Sequence, residues 1–288
     1  MRAVVVEGSR LVVAERPDPV AGRGEVVVRV RAAGINNADL IQLRGHYPAP
    51  PGAPPDIPGL ECAGELDGRR VMALLGGGGQ AEAVAVDERH VLEAPPGLAW
   101  EEAGGFMEAF CTAHDALFAQ ARLQAGERLL VNGASGGVGV AAVQLGVAAG
   151  AHVTAGARHR LDELRALGAD TEVDGEYDVV LELVGGENLA RNLELLAPLG
   201  RVVVIGVGAG SRVELDFGLL MRRRGRISAS TLRSRSADEK AEVVRRLGEL
   251  DLAQFTVPVE ATFPLERAAE AYERFARPGK LGKLVLLT

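Results

Sequence analysis

The chain has 288 residues, 47% of them hydrophobic and 25% charged, with a formal net charge of −7. That length admits one large or two medium domains with ample core, and the composition is that of an ordinary soluble globular protein. The acidic balance argues against nucleic acid or an anionic membrane surface as a general partner, while leaving room for a local basic pocket.

The opening residues, MRAVVVEGSRLVV, lack the apolar core and small-residue cleavage site of a signal peptide. The most apolar long stretch, 137–157, is interrupted by Gln144 and His152 and is too weak to span a membrane. The expected location is the cytoplasm. Two cysteines, Cys62 and Cys111, suit a reducing compartment and read as small buried hydrophobes.

Up to about residue 98 the chain carries short valine-rich runs, Arg2–Val6, Glu25–Val30, Arg70–Leu74 and Ala81–Val86, punctuated by glycine and proline. This texture predicts an irregular, mostly β domain. The segment from Tyr47 to Gly59 is too rich in proline for regular structure. From Trp100 to Leu123 the pattern becomes helical, with a break near Gly104-Gly105.

An alternation follows. Strands are predicted at Arg128–Asn132, Ala151–Ala155, Tyr177–Leu183, Arg201–Gly206 and Arg226–Ser230. Helices are predicted at Val138–Ala149, Leu161–Leu167, Asn188–Leu196, Phe217–Arg223 and Asp238–Glu249. Apolar strands alternating with amphipathic helices indicate an α/β, doubly wound parallel (Rossmann) sheet. β texture returns at Thr256–Thr262, with a helix over Leu265–Phe275 and a last strand at Lys283–Leu287. The simplest architecture inserts a nucleotide domain, residues 114–251, into a β-rich domain built from residues 1–113 and 252–288.

The run Leu129-Leu-Val-Asn-Gly-Ala-Ser-Gly-Gly-Val-Gly139 is a strand, a glycine-rich turn and the start of a helix. That is the dinucleotide-binding context. The helix start, over Gly137, Val138 and Gly139, offers unpaired N–H groups and a positive dipole end to a pyrophosphate. Gly136 lets the backbone approach the phosphates, and Gly139 lets helix pack on strand. Ala134 stands at the first fingerprint position, followed by Ser135. The same residues also match G-x-S-x-G, the nucleophile elbow of α/β-hydrolases, which makes Ser135 a candidate nucleophile. A hydrolase needs a histidine later in the chain, and the last one is His159, only one strand and a turn beyond.

The second strand of the fold ends Thr154-Ala-Gly156-Ala with no acidic residue to hold a ribose 2′-hydroxyl, and Arg158-His-Arg160 follows. Two guanidinium groups suit a 2′-phosphate, which favours NADPH over NADH.

Gly34-Ile-Asn-Asn-Ala-Asp39, Ile57-Pro-Gly-Leu-Glu-Cys-Ala-Gly64, Arg70-Val-Met72, Thr112 with its helix, Asn132–Gly139, Leu167-Gly-Ala169 and Gly282-Lys-Leu-Val285 together resemble the medium-chain dehydrogenase/reductases, and within them the zeta-crystallin-like quinone oxidoreductases. The stretches Asn37–Tyr47 and Ser230–Arg235 are most similar to the p53-inducible branch of that family. The resemblance implies a GroES-like catalytic domain around the Rossmann domain, and a homodimer joined through an edge of its sheet. Zinc enzymes of the superfamily place Cys, His and Cys where this chain has Asn36, Leu60 and Glu108, so a catalytic zinc lacks its ligands here. An acceptor that needs no Lewis acid, a quinone or an enone, is expected. By resemblance Asn36 and Tyr47 lie near the nicotinamide and the acceptor, with an amide N–H and a phenol O–H to donate. Thr112 positions the nicotinamide, and Gly206, Leu232 and Arg233 reach the cofactor through backbone. The implied function is hydride transfer from NADPH to a quinone. An enoyl or alkenal reductase, a nucleotide-binding regulator without turnover, and a serine hydrolase through Ser135 are the alternatives.

Two parts of the family pattern are shortened: Glu65-Leu-Asp-Gly-Arg-Arg70 replaces a longer hairpin of the β domain, and Thr171-Glu-Val-Asp-Gly-Glu-Tyr177 replaces a third strand and a helix. A third Rossmann strand would lie about 14 Å from the fourth. The residues between them, Asp174 to Glu176, span at most roughly 11 Å. The third strand is therefore expected to be missing or rudimentary and its crossover helix absent. By resemblance, Gly175 replaces a tyrosine that relatives often place beside the adenosine phosphate, which leaves Arg158 and Arg160 carrying more of that role.

Overall fold

The computed structural model describes residues 1–288 and resolves them into two compact units. One unit comprises Met1–Cys111 and Leu232–Thr288, and the other Thr112–Thr231.

The terminal unit begins with a hairpin, β1 (Arg2–Glu7) and β2 (Arg10–Glu15). Next come β3 (Glu25–Gly34), helix α1 (Asn37–Leu43), β4 (Glu61–Leu66), β5 (Arg69–Leu74), β6 (Ala83–Asp87) and β7 (Val91–Glu93). The break at Gly104-Gly105 divides α2 (Trp100–Gly104) from α3 (Met107–His114).

The inserted unit runs β8 (Arg128–Asn132), α4 (Gly137–Ala148), β9 (His152–Gly156), α5 (Leu161–Ala166), β10 (Tyr177–Glu182), α6 (Asn188–Glu194), β11 (Leu196–Val204), α7 (Phe217–Arg223) and β12 (Arg226–Ala229). The chain then re-enters the terminal unit with α8 (Ala237–Gly248), β13 (Val259–Pro264), α9 (Ala268–Ala276) and β14 (Lys283–Leu287).

In the terminal unit the sheet order is β13-β14-β3-β4-β5-β7, with β6 also paired to β3. The long strand β3 therefore joins the last strand of the chain to the N-terminal strands. Alternate residues of β3, Val28 and Val30, face a core with Cys62, Val71, Ala73 and Val84. On the other side Ile35 and Leu40 pack with Leu284, Leu286 and Tyr272. Both cysteines are buried and neither forms a disulfide, as expected of small hydrophobes. The proline-rich segment 47–59 forms neither helix nor strand.

Residues 232–251, assigned to the nucleotide domain on sequence texture, pack with the terminal unit. The start of α8 is tied to the turn before β7: His90 Nε2 is hydrogen-bonded to the Ala237 carbonyl at 2.8 Å, and Arg89 pairs with Asp238 at 2.6 Å. An amphipathic helix looks the same in sequence whichever sheet it covers, so its pattern does not reveal its host.

The inserted unit is a parallel five-stranded sheet in the order β12-β11-β10-β8-β9. This is the doubly wound arrangement expected, with the third strand reduced to a single bridge from Thr154 to Asp170. No crossover helix follows. The short link folds back on its neighbours instead. The Asp174 N–H donates to the Tyr177 hydroxyl at 3.1 Å, and Arg128 donates to the Asp174 carbonyl and carboxylate at 2.9 and 2.8 Å. The Arg128 guanidinium lies 4.8 Å from the centre of the Tyr177 ring. No helix of the protein is long and apolar enough to cross a membrane.

Tyr177 is fully buried, and its hydroxyl anchors the shortened link. Tyr177→Phe is expected to lower unfolding stability by about 1 kcal/mol in urea denaturation, and to speed hydrogen exchange at the Asp174 amide while leaving β8 protected.

Candidate functional site

The terminal unit contains a buried polar cluster centred on Glu61 and Lys283, whose side chains are 0% and 3% exposed. Lys283 Nζ donates to Glu61 Oε1 at 2.5 Å and to Asn36 Oδ1 at 2.7 Å. The Asn36 amide donates back to Glu61 Oε1 at 2.9 Å and weakly to the Gly34 carbonyl at 3.5 Å. Glu61 Oε2 accepts the Glu108 backbone N–H at 2.9 Å. A Cβ on Gly34 would lie 2.4 Å from Glu61 Oε1, so only glycine leaves room for this carboxylate.

Asn36 also caps α1. Its backbone N–H donates to Asp39 Oδ2 at 2.8 Å, and Asp39 Oδ1 accepts the Gly59 N–H at 3.0 Å. One fully buried carboxylate thus joins the helix start to the loop before β4. Burial pushes the Asp39 carboxyl up to about 6.

Arg233, 3% exposed, reaches into the same unit. It donates to the carbonyls of Gly76 and Tyr47, each at 2.9 Å, and to Gln42 Oε1 at 2.5 Å. Its guanidinium sits 4.8 Å from the centre of the Tyr47 ring. Tyr47, in a proline-rich loop without secondary structure, is therefore held from two sides.

These contacts change one sequence expectation. The Asn36 amide is not a spare donor, because its N–H groups and its oxygen are engaged by Glu61, Gly34 and Lys283. The Arg233 side chain is committed to Tyr47, Gln42 and Gly76, and with buried Leu232 it belongs to the terminal unit. Glu61, Lys283 and Asp39 lay inside motifs read from the sequence but were not singled out. A lysine opening the otherwise apolar β14 and a glutamate opening β4 were the available signals, since buried charges need partners.

Leu60 is fully buried in the core, Asn36 is bonded as described, and Glu108 is half-buried. No group of three or more His, Cys, Asp or Glu side chains is arranged to hold a metal ion. The Glu108 carboxyl is pushed up to about 8, first by burial and then by the Glu61 charge, against the pull of Lys283.

The inserted unit carries its glycine turn after β8, Arg158 after β9 and Gly206 after β11, at the C-terminal ends of its strands, where open α/β sheets bind ligands. The N–H groups of Gly133 and Ala134 both point at the Gly156 carbonyl, at 2.9 and 3.3 Å. Gly136 caps α4 without a side-chain bond, so the first-turn N–H groups over Gly137, Val138 and Gly139 have no intrahelical acceptor. A Cβ on Gly139 would lie 2.4 Å from the Gly133 carbonyl oxygen, whereas one on Gly136 would meet nothing nearer than 3.6 Å. The turn is thus closed on its helix side and open above Gly136. Thr112 is 8% exposed and its hydroxyl has no partner.

Beneath the turn lies fully buried Glu182. Oε1 accepts the N–H groups of Val184 and Gly185 at 2.7 and 2.8 Å, and Oε2 accepts the amides of Asn132 and Asn192 at 2.9 and 2.7 Å. The Glu182 carbonyl takes the Gly206 N–H at 3.1 Å. Beyond β9, Arg158 is exposed and makes no ion pair. Arg160, in a left-handed conformation, pairs with Glu163 at 3.1 Å. The half-buried Ser135 hydroxyl has no histidine beside it, so the nucleophile-elbow reading lacks its base.

A glycine turn with an uncapped helix start, an acid-free second strand and an orphaned threonine hydroxyl fit a nicotinamide dinucleotide. A nucleotide-binding unit carried by a GroES-like unit defines a dehydrogenase/reductase. A family model described as alcohol dehydrogenase GroES-like domain matches residues 22–96, and one described as zinc-binding dehydrogenase matches 150–286. The chain is 31% identical to a quinone oxidoreductase of Lama guanicoe, over 93% of this chain and 90% of that one. It is 30% identical to the Mus musculus quinone oxidoreductase, over 93% and 91%. Among solved structures it resembles the quinone oxidoreductase of Thermus thermophilus, described also in complex with NADPH, with a TM-score of 0.88, 34% identity and full coverage of both chains. An NAD-dependent alcohol dehydrogenase superposes with a TM-score of 0.86 at 27% identity, again over both full chains. The chain belongs to the quinone oxidoreductase family of the medium-chain dehydrogenase/reductases. The comparisons do not favour the enoyl or alkenal alternative.

Lys283→Met would leave Glu61 buried and unpaired, and is expected to destabilise the protein by about 3–5 kcal/mol in chemical denaturation. Adding Glu61→Gln should recover part of that loss, because the orphaned charge is gone. Glu108 gives a pH-dependent check. Between its ordinary value of 4.5 and about 8 the folded state keeps a proton that the unfolded state has released, so stability falls as pH rises through that window. Glu108→Gln removes this dependence. Its thermal midpoint should gain on the wild type from about pH 5 to about pH 8, and the gap should then stay constant.

Proposed function

We propose that this protein is an NADPH-dependent, zinc-independent quinone reductase. One observation carries the reading. The three positions that hold zinc in metal-dependent relatives are here an asparagine locked to Glu61 and Lys283, a core leucine and a protonatable glutamate. Such a site supplies no Lewis acid, which suits an acceptor that stabilises incoming charge through its own conjugation, as a quinone does.

When bound, the nicotinamide supplies the hydride. The chain's residues do the rest. The first-turn N–H groups of α4 and its positive end receive the pyrophosphate. Arg158, the unpaired cation beyond β9, receives the 2′-phosphate, with Arg160 a weaker contributor because Glu163 already engages it. The Thr112 hydroxyl gains in the carboxamide the partner it lacks. Asn36, through its bonds to Lys283 and Glu61, fixes the start of α1 rather than serving as a donor. Tyr47, held by Arg233, presents its ring and phenol to a planar acceptor and orders it for transfer.

We assign the protein to the cytoplasm as a homodimer. The outer edge of β12 is unpaired within the sheet, and Ile227 on it and Phe217 and Met221 on α7 are exposed. An apolar edge of this kind calls for cover.

Titration of the metal-free protein with NADPH and with NADH, followed by cofactor fluorescence, tests the assignment. NADPH should bind more tightly, and added 1,4- or 1,2-quinones should oxidise it. Arg158→Ala should weaken NADPH about 10- to 100-fold and leave NADH unchanged. Failure to bind either nucleotide overturns the proposal.

A further inference from the structure

A groove of about 810 Å³ opens in the inserted unit and is lined by four arginines. Arg201 lies on β11, Arg226 begins β12, Arg224 caps the end of α7, and Arg122 follows the helical segment Asp115–Gln120 and Ala121. No acidic side chain lines the groove. Arg201 is neutralised by Glu127 at 2.6 Å. Its guanidinium also donates to the carbonyls of Ala121 and Arg122 at 2.6 and 3.0 Å, which ties that segment to β11. Arg122, Arg224 and Arg226 are exposed, and their guanidinium groups make no hydrogen bond and no ion pair. Arg226 is the register partner of Arg201 on the neighbouring strand, and like charges side by side on a sheet are destabilising. Surplus positive charge is thus gathered at one place in a chain whose net charge is −7.

The backbone supplies an independent observation. Five non-glycine residues of the protein have a positive φ, and three of them, Arg122 at 53°, Leu199 at 65° and Arg224 at 49°, line this groove. A left-handed residue after a helix is usually glycine, because a Cβ is strained there. Here arginine stands at both helix ends, and after α7 the glycine comes one residue late, as Gly225. Neither guanidinium bonds a neighbour, so the fold gains no contact in exchange for the strain. Residues held in such conformations cluster at ligand sites.

We propose that this groove is a binding site for a small anion of the diphosphate class. Each guanidinium fork matches a pair of phosphate oxygens. Three free forks, with the Ser228 hydroxyl held only weakly by the Val202 carbonyl at 3.5 Å, exceed what a single phosphate can use. The volume lies in the range of small-ligand sites, roughly 300–1,000 Å³. The acidic balance of the whole chain disfavours a polyanionic polymer as the occupant. The groove is distinct from the glycine turn. Arg201 and Arg226 stand where the paired register of their strands begins, whereas the turn follows the last residue of β8, at the opposite end of the same sheet. A bound diphosphate would relieve the repulsion among the arginines and link the segment at Arg122 to the end of α7.

The test titrates the full chain with inorganic pyrophosphate and with inorganic phosphate, by calorimetry and by amide chemical shifts. It compares wild type with Arg122→Gly, Arg224→Gly and Arg226→Gln. Pyrophosphate should bind about 10-fold more tightly than phosphate, should weaken as salt is added, and should shift the amides of Arg122, Arg224, Arg226 and Ser228. Each substitution should weaken pyrophosphate by about 10-fold. The two glycine variants carry a further signature. Freed of left-handed strain, they should melt no lower than wild type without ligand, yet gain less from added pyrophosphate. Arginines kept for stability alone would give the reverse, a lower melting point and an unchanged affinity. Amide shifts confined to the glycine turn would put the anion at the other end of the sheet and overturn the proposal. So would the absence of pyrophosphate binding, equal affinity in all the variants, or tighter binding of a short DNA duplex than of pyrophosphate. Should Arg226→Gln not fold, the two glycine variants decide the outcome.

Discussion

The ion pair between Lys283 and Glu61 is the constraint on which the terminal unit depends. Both side chains are essentially out of water, where an isolated charge costs several kcal/mol. The pair offsets that cost only because its hydrogen bonds are complete: Asn36 lies between the two charges, and the Glu108 N–H takes the remaining carboxylate oxygen. These four residues come from β14, β4, the start of α1 and α3, segments far apart in sequence. A hydrophobic core would hold the same elements together without fixing their register so closely. The pair is therefore a positional device. It sets where α1 begins, and through Asp39 and Gln42 it sets where the loop carrying Tyr47 is anchored.

The inserted unit solves the same problem without a cation. Glu182 accepts four N–H groups, two from the backbone after β10 and two from Asn132 and Asn192. Distributing one negative charge over four donors holds the ends of β8 and β10 in place beneath the glycine turn. The turn itself can then be bare. Gly136 makes no side-chain cap, and the first-turn N–H groups of α4 have no intrahelical acceptor. Each unit thus uses buried polarity for rigidity and still leaves a few polar groups unmatched, Arg70 Nε and Gln80 Nε2 in the first and the Thr112 and Thr171 hydroxyls in the second.

Most of the architecture was legible because it rests on local patterns. The helix break at Gly104-Gly105, the last strand at Lys283–Leu287 and the alternating core of the nucleotide unit each follow from short-range periodicity and punctuation. The reduction of the third strand was legible for a stronger reason, chain length, which no tertiary contact can override. What escaped was long-range. Lys283 and Asn36 are 247 positions apart, and nothing in either neighbourhood announces the other. The amide of Asn36 read as a free donor because its partners were invisible. α8 was placed with the wrong unit because amphipathicity shows that a helix is covered, not by what.

The shortened sheet bears on how the nucleotide is held. With the third strand reduced to the Thr154–Asp170 bridge, β9 lies at the edge of the sheet, and the link beyond it is fastened by Tyr177 and Arg128 rather than by strand pairing. Arg158 leaves β9 at that edge without a carboxylate partner, while Arg160 is turned back along its own helix toward Glu163. On the proposed reading, selectivity for a 2′-phosphate would then rest on one exposed cation rather than on a walled pocket. A single exposed guanidinium gives an interaction that salt screens readily. The grip of the inserted unit should accordingly come mostly from the pyrophosphate at α4, with the choice between the two nicotinamide dinucleotides set by a smaller and more salt-sensitive increment.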